Sequence, residues 1–150
     1  MSKNELRIER TFLAPRERVF DAWTSPETLG RWFGPPMTSV DVSEVDAKVG
    51  GRYRLAVRDP DKKSHEVSGV YRTVTRPSRL VFTWAWTQDD GSRGHEYTVE
   101  VAFADAPGGT RVTLVQRAFV DAGQLASHDH GWGGSFDKLE ELLARAEAKA

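Results

Sequence analysis

The densest grouping of residues able to do chemistry is His128-Asp129-His130, two imidazoles flanking a carboxylate. Imidazole and carboxylate are ordinary ligands for divalent transition metals. Two histidines without a clear third ligand fall short of a zinc site, and the segment reads as a solvated loop ahead of a glycine. Ser127 lies beside His128, but neighbours in sequence do not form the geometry of nucleophile and base. His95 opens a predicted strand next to a polar tip. Pointing inward it would be a candidate acid or base; pointing outward it merely titrates in solvent. Asp21, Glu44, Asp46, Glu66, Glu96 and Glu100 fall mostly on faces assigned to solvent, and Arg52, Arg54 and Arg58 form a stripe on the outer face of one strand. Solvated sheet surface is the default reading of that stripe. The Gly-rich segment Gly131 to Gly134 lacks the lysine pattern of a phosphate loop and does not directly follow a strand. No catalytic residue, metal ligand set or cofactor is assigned.

The remaining chemistry is recognition by aromatic surface. The chain carries five Trp, seven Phe and three Tyr. Tyr53, Leu55, Tyr71, Phe82, Trp84, Trp86 and Tyr97 fall on one predicted face of successive strands; Trp132 and Phe136 from a C-terminal helix would close over them. Trp32 and Phe33 would stand at the mouth. A concave apolar site with a few polar groups is what a small-molecule pocket needs. Aromatic faces stack on flat ligands, and tyrosine hydroxyls supply fixed hydrogen bonds. The same rings would equally fill an ordinary core, and the sequence leaves both readings open.

The helix that must position the closing residues runs through GWGGSFDKLEELLARAEAKA, from Gly131 to Ala150. Trp132, Phe136, Leu139, Leu142 and Leu143 recur with helical period, opposite Asp137, Lys138, Glu140, Glu141 and Arg145, so this helix lies against something apolar. Glycines at 131, 133 and 134 allow two readings: a lead-in with the helix starting near Ser135, or side chains absent to give close approach or room for a bound molecule. Upstream, Glu5 to Leu13 alternates as a first strand. Pro15 opens a short helix carrying Val19, Phe20, Ala22 and Trp23. Ser25-Pro26-Glu27 opens a second, with Leu29, Trp32 and Phe33, ending at Gly34-Pro35-Pro36. The two form a cradle at one end of a sheet.

Six further strands follow, with Val40, Val42 and Val45 in the first and then spans Arg52 to Arg58, His65 to Thr75, Leu80 to Trp86, His95 to Phe103 and Arg111 to Phe119. In the third of these, Val67, Gly69, Tyr71 and Thr73 are placed on one side and Val70 and Val74 on the other. Tight turns between regular strands predict an antiparallel meander. The expected fold is α+β: a curved antiparallel sheet of about seven strands wrapped around a long C-terminal helix, with two short helices, in the order β-α-α-β6-α.

Length and composition bound the rest. A chain of 150 residues is expected to be one domain, 1–150, burying about two-thirds of its unfolded surface. A net charge of −1 and a pI near 6.4 give no electrostatic reason to expect nucleic acid or an anionic membrane. Cysteine is absent, which excludes disulfides, thiol nucleophiles and zinc–thiolate sites. No run approaches ~20 apolar residues and the N-terminus lacks a signal core, so no membrane insertion and a cytoplasmic location are expected.

Several pieces together carry a resemblance. They are Ala14-Pro15 with Val19-Phe20-Asp21-Ala22-Trp23, Ser25-Pro26-Glu27 with Leu29 and Arg31-Trp32-Phe33-Gly34-Pro35, and Gly50-Gly51-Arg52-Tyr53. Further on are Gly69, Pro77 before Arg79-Leu80-Val81-Phe82-Thr83-Trp84, Gly109-Thr110-Arg111-Val112-Thr113-Leu114, and Gly131-Trp132 with Leu139 and Leu142. In this order they resemble the helix-grip fold of the START and Bet v-type (SRPBCC) superfamily. Within it they look like the bacterial branch related to the activator of the heat-shock-protein-ninety ATPase, the Aha-type domain. The resemblance implies an apolar tunnel between the long helix and the concave sheet, used for varied hydrophobic small molecules; a minority of the superfamily are cyclases or hydrolases. The eukaryotic activator couples such a domain to another that grips the chaperone. Chaperone activation is therefore not carried over to a chain that reads as one domain.

Three functions are in play. The first is binding of a hydrophobic, aromatic, polyketide-like or lipid-like molecule in the tunnel, by a monomer or homodimer. The second is an enzyme of polyketide cyclase or hydrolase type, which a buried His95 or a carboxylate in the lining would favour. The third is a co-chaperone-like interaction module, which would show an exposed apolar patch.

Overall fold

The computed structural model describes residues 5–33, 38–61, 63–88, 90–117 and 132–143. Strand β1 (Glu5–Phe12) is followed by helices α1 (Arg16–Thr24) and α2 (Pro26–Trp32). Six strands follow: β2 (Ser39–Val45), β3 (Arg52–Arg58), β4 (Ser64–Thr75), β5 (Arg79–Trp86), β6 (Tyr97–Ala106) and β7 (Gly109–Arg117). Residues 132–143 form a C-terminal helix, α3. All seven strands join one antiparallel sheet in the order β1-β7-β6-β5-β4-β3-β2, curled into a half-barrel. No helix among the described residues is long and apolar enough to cross a membrane.

Because β1 and β2 are the two edges, α1 and α2 must carry the chain from one end of the sheet to the other. Ser25 makes the bend between them. Its N–H donates to Asp21 O, closing α1, while its hydroxyl accepts from Thr28 N at 3.4 Å with Pro26 at the first position of α2. The indole of Trp32 donates to Ala22 O at 2.9 Å and fixes the angle. Arg76 grips Asp21 through both carboxylate oxygens, at 2.8 and 2.9 Å, and Arg16 reaches Asp105 at 3.0 Å, so α1 is tied to turns at that end of the sheet.

The inner face is built as the alternation predicts. Tyr53, Leu55 and Val57 are buried on β3, and Tyr97, Val99, Val101 and Phe103 on β6. On α3, Trp132, Phe136, Leu139 and Leu143 are buried, with Leu142 packed beside them. Fully burying each such side chain is worth about 1.5–3 kcal/mol. Phe136 meets Phe12 edge-on at 5.7 Å, and Arg10 lies over the Phe136 ring while donating to Asp137 at 2.6 Å. These contacts seat α3 on the concave side near β1.

Three expectations are corrected. Between Tyr71 and Thr73 the β4–β5 register shifts by one residue, so Val74, opposite Leu80, packs on the core and Thr73 turns to the other face. Thr83 and Ala85 lie on the outer face of β5 and are nonetheless buried. The chain after β5 doubles back there, with Arg93 donating to Ser68 Oγ at 3.0 Å and Ser68 O at 2.7 Å. Helix α3 already runs at Trp132, ahead of the start near Ser135. Strand β6 opens at Tyr97 rather than His95.

On the convex face, Glu100 of β6 accepts from Arg117 of β7 at 3.1 Å and pairs with Arg79 of β5 at 2.5 Å. Partial burial pushes its carboxyl up, but hydrogen bonds from Arg117 and Arg79 outweigh this and hold it below its ordinary value. With the folded-state pKa depressed, this stabilisation is present above the ordinary value of 4.5 and is lost as pH falls through the folded value. Glu100→Gln is expected to cost about 1 kcal/mol at neutral pH in urea melts, with the gap to the parent closing below about pH 4. A gap independent of pH would show that the ion pairs contribute nothing.

Candidate functional site

The concave face of β3, β4 and β5 brings Tyr53, Leu55, Tyr71, Phe82 and Trp84 together, and α1 and α2 place Trp23, Leu29 and Phe33 over them. They bound a cavity of about 20 Å³. That is room for about one water molecule. Phe33 caps α2 through its N–H to Leu29 O at 3.0 Å. From α3, the Lys138 ammonium donates to Phe33 O at 3.3 Å, and partial burial lowers the lysine pKa.

The rings fall into two groups around the cavity. Trp23 stacks on Trp132 at 5.9 Å; Trp132 lies 5.2 Å from Trp84, which lies 5.6 Å from Phe33. Tyr53, Tyr71 and Phe82 make a triangle with centroids 5.6 to 6.0 Å apart. Each such pair adds about 0.5–1.5 kcal/mol beyond its buried area.

Of the residues chosen from sequence, Phe33, Tyr53, Leu55, Tyr71, Phe82 and Trp84 line the cavity. Trp32, Tyr97, Trp132 and Phe136 are buried elsewhere in the core, and Trp86 is half-buried, edge-on to Trp84 at 5.5 Å. Trp23 and Leu29 line it without having been chosen. The apolar face Val19, Phe20, Ala22 and Trp23 was the available signal, because a helix in the cradle has to turn that face to the sheet.

The polar groups inside are unevenly matched. The Trp132 indole donates to buried Gln116 Oε1 at 2.8 Å, and the Tyr53 hydroxyl to Thr83 O at 2.6 Å. Gly69 is what permits the second bond. The β4–β5 ladder passes from Ser68↔Ala85 to Tyr71↔Phe82, and between them Val70 N–H donates to Thr83 Oγ1 at 2.9 Å. A Cβ on Gly69 would lie 1.9 Å from Thr83 O and 2.8 Å from Tyr53 Cε1. By contrast, the buried Trp23 Nε1 has no hydrogen-bond partner among the described residues, and the Tyr71 hydroxyl makes no hydrogen bond to any of them. Burial, then the neighbouring Tyr71, pushes Tyr53 well above its ordinary pKa; burial, then Asp46, does the same to Tyr71. Both are neutral phenols at physiological pH.

No carboxylate, imidazole, lysine or arginine lines the cavity. His95 is exposed, its ring edge-on to Tyr97 at 4.9 Å. No group of three His, Asp or Glu able to hold a metal occurs among the described residues. Ser127, His128, Asp129 and His130 lie outside them. Among the described residues, Leu13 and Val49 are the exposed large hydrophobic ones, in separate turns.

The family model described as activator of Hsp90 ATPase homolog 1-like protein (AHSA1) matches residues 13–144. The chain belongs to this family. Among solved structures it is similar to the AHSA1 protein of Silicibacter pomeroyi, with 31% identity, 95% of this chain and 99% of that one covered, and a TM-score of 0.84. A Chromobacterium violaceum protein shares 26% identity over 93% and 97% of the two chains, TM-score 0.86. One from Nitrosomonas europaea shares 27% over 99% of both, TM-score 0.82. No curated protein matches the chain. All of β1 precedes the AHSA1 match, yet it pairs with β7 along its whole length.

Two glycines of this AHSA1 domain separate close approach from mere tolerance. Gly69→Ala is expected to cost at least about 3 kcal/mol, or to leave no folded protein, since backbone oxygen occupies the Cβ position. A Cβ on Gly133 meets nothing within 4 Å. Gly133→Ala is therefore expected to be neutral or stabilising by up to about 1 kcal/mol. Thermal melts of the two variants check both; a strongly destabilised Gly133→Ala would show that α3 needs that glycine.

Proposed function

We propose that the protein binds a hydrophobic small molecule, of aromatic, polyketide-like or lipid-like character, against the concave sheet at the cavity beneath α1 and α2, rather than under α3. The cavity under Trp23 and Phe33, walled by Tyr53, Tyr71, Phe82 and Trp84, carries this reading. Its AHSA1 relatives share a fold that commonly binds hydrophobic ligands. At about 20 Å³ the cavity is far below the roughly 300 Å³ of a typical ligand pocket, so entry requires the lining rings to repack. Cyclase chemistry has no carboxylate or imidazole to use among the lining residues. A chaperone-docking surface has only Leu13 and Val49 to offer as large exposed apolar groups among the described residues.

The test is tryptophan fluorescence and thermal melting against planar hydrophobic compounds and fatty acids. A ligand at one hundred times its Kd stabilises the folded state by about 2.7 kcal/mol, which raises Tm by roughly 5–10 °C in a domain of this size. Trp84→Ala is expected to abolish the response, and circular dichroism checks that it folds, since the truncation costs about 3–5 kcal/mol. Phe33→Leu, a milder change, is expected to weaken it. Absence of any saturable response across the panel would mean that the rings are a filled core and nothing more.

A further inference from the structure

The interior satisfies its indoles and phenols selectively. Trp32 finds Ala22 O and Trp132 finds Gln116 Oε1, whereas Trp23, 4% exposed between them, has no acceptor for Nε1 among the described residues. The tyrosines differ too: Tyr53 is bonded to Thr83 O, while the hydroxyl of Tyr71, its ring 5.7 Å away, makes no hydrogen bond to a described residue but, unlike Trp23 Nε1, keeps contact with solvent. Trp23 and Tyr71 line the same cavity. A buried donor left unmatched is costly, and in a native structure each one calls for an explanation.

Resting on the ligand-binding reading above, we infer that the site takes an uncharged aromatic compound bearing a carbonyl oxygen, oriented by Trp23 Nε1 and the Tyr71 hydroxyl. Both groups donate, so the matching ligand atom is an acceptor. The surrounding rings fit a flat aromatic body. Charge is disfavoured because no cation lines the cavity, and a carboxylate there would be buried without a counter-ion. The upward displacement of both tyrosines reflects the same aversion to charge. The ammonium near the rim, Lys138, is directed to Phe33 O.

Three probes substituted at the same ring position test this on the full chain: ethylnaphthalene, acetylnaphthalene and naphthoate. Acetylnaphthalene is expected to bind about tenfold more tightly than ethylnaphthalene, and naphthoate more weakly than acetylnaphthalene. Tyr71→Phe keeps the ring and removes only the hydroxyl, so it is expected to retain the fold while reducing the carbonyl preference severalfold. Trp23→Phe is expected to remove most of what remains. If that variant does not fold, the Trp23 indole resonance in a proton–nitrogen correlation spectrum of the unaltered protein is the readout. It should move downfield with acetylnaphthalene and far less with ethylnaphthalene. Equal binding of the ethyl and acetyl probes, with the Trp23 resonance responding alike to both, would overturn the carbonyl assignment and leave hydrophobic binding intact. Tightest binding by naphthoate would overturn it in favour of an anionic ligand. Failure of all three to bind, together with silence of the broader hydrophobic panel, would overturn the binding reading itself.

Discussion

A curled seven-stranded sheet has one concave face, and every apolar side chain that the strand alternation sends inward has to be covered there. This constraint organises the molecule. Pairing of β1 with β7 puts β1 at one edge and leaves β2 at the other, so the chain between them must span the sheet. Helices α1 and α2 do this while laying Trp23, Leu29 and Phe33 over the open end. Helix α3 closes the remainder with Trp132, Phe136, Leu139 and Leu143. The cavity lies beneath the α1–α2 cradle, its wall formed by β3, β4 and β5.

Closing the face with aromatics creates a second requirement, since indoles and phenols bring polar atoms into a dry interior. The solutions are local and specific. Gln116 is wholly buried on β7 and serves Trp132. The α1 carbonyl of Ala22 serves Trp32, and Thr83 on β5 serves Tyr53, at a point where the ladder is interrupted and Gly69 leaves space for the oxygen. Against that background the nitrogen of Trp23, a residue that lines the cavity, is left unmatched among the described residues.

Much of this was legible in the residues. Strand positions follow from period-two alternation because one face is buried, and Tyr53, Leu55, Tyr71, Phe82 and Trp84 could be grouped because neighbouring antiparallel strands align their inward positions. The register shift after Tyr71 was not legible: an extra residue in a strand reverses the alternation downstream, and nothing local to Arg72-Thr73-Val74 announces it. Burial of Thr83 and Ala85 was hidden for another reason: the chain beyond the strand's end doubles back, and Arg93 there is bonded to Ser68, the ladder partner of Ala85. Trp23 was visible as a core residue of α1, but its place over the cavity depends on the Ser25 bend and the Trp32–Ala22 bond. Which indoles find acceptors is a fact of three dimensions alone.

The small cavity and the proposed binding are compatible if the closed interior is one of two packings of the same rings. Affinity for an entering molecule is then its intrinsic affinity for the open packing, reduced by the fraction of protein that is open. Interior rings in edge-to-face contact resist opening, since each lost pair forfeits about 0.5–1.5 kcal/mol. An aromatic ligand can replace those contacts in kind, whereas an aliphatic chain replaces their area but not their geometry. A ligand oxygen that meets Trp23 Nε1 adds a bond the closed packing lacks among its described residues. Differential stabilisation of that sort, present only in the open state, is what shifts a population; tight packing alone favours neither guest nor host. On the proposed binding, the aromatic filling that keeps the interior closed would also select what can open it.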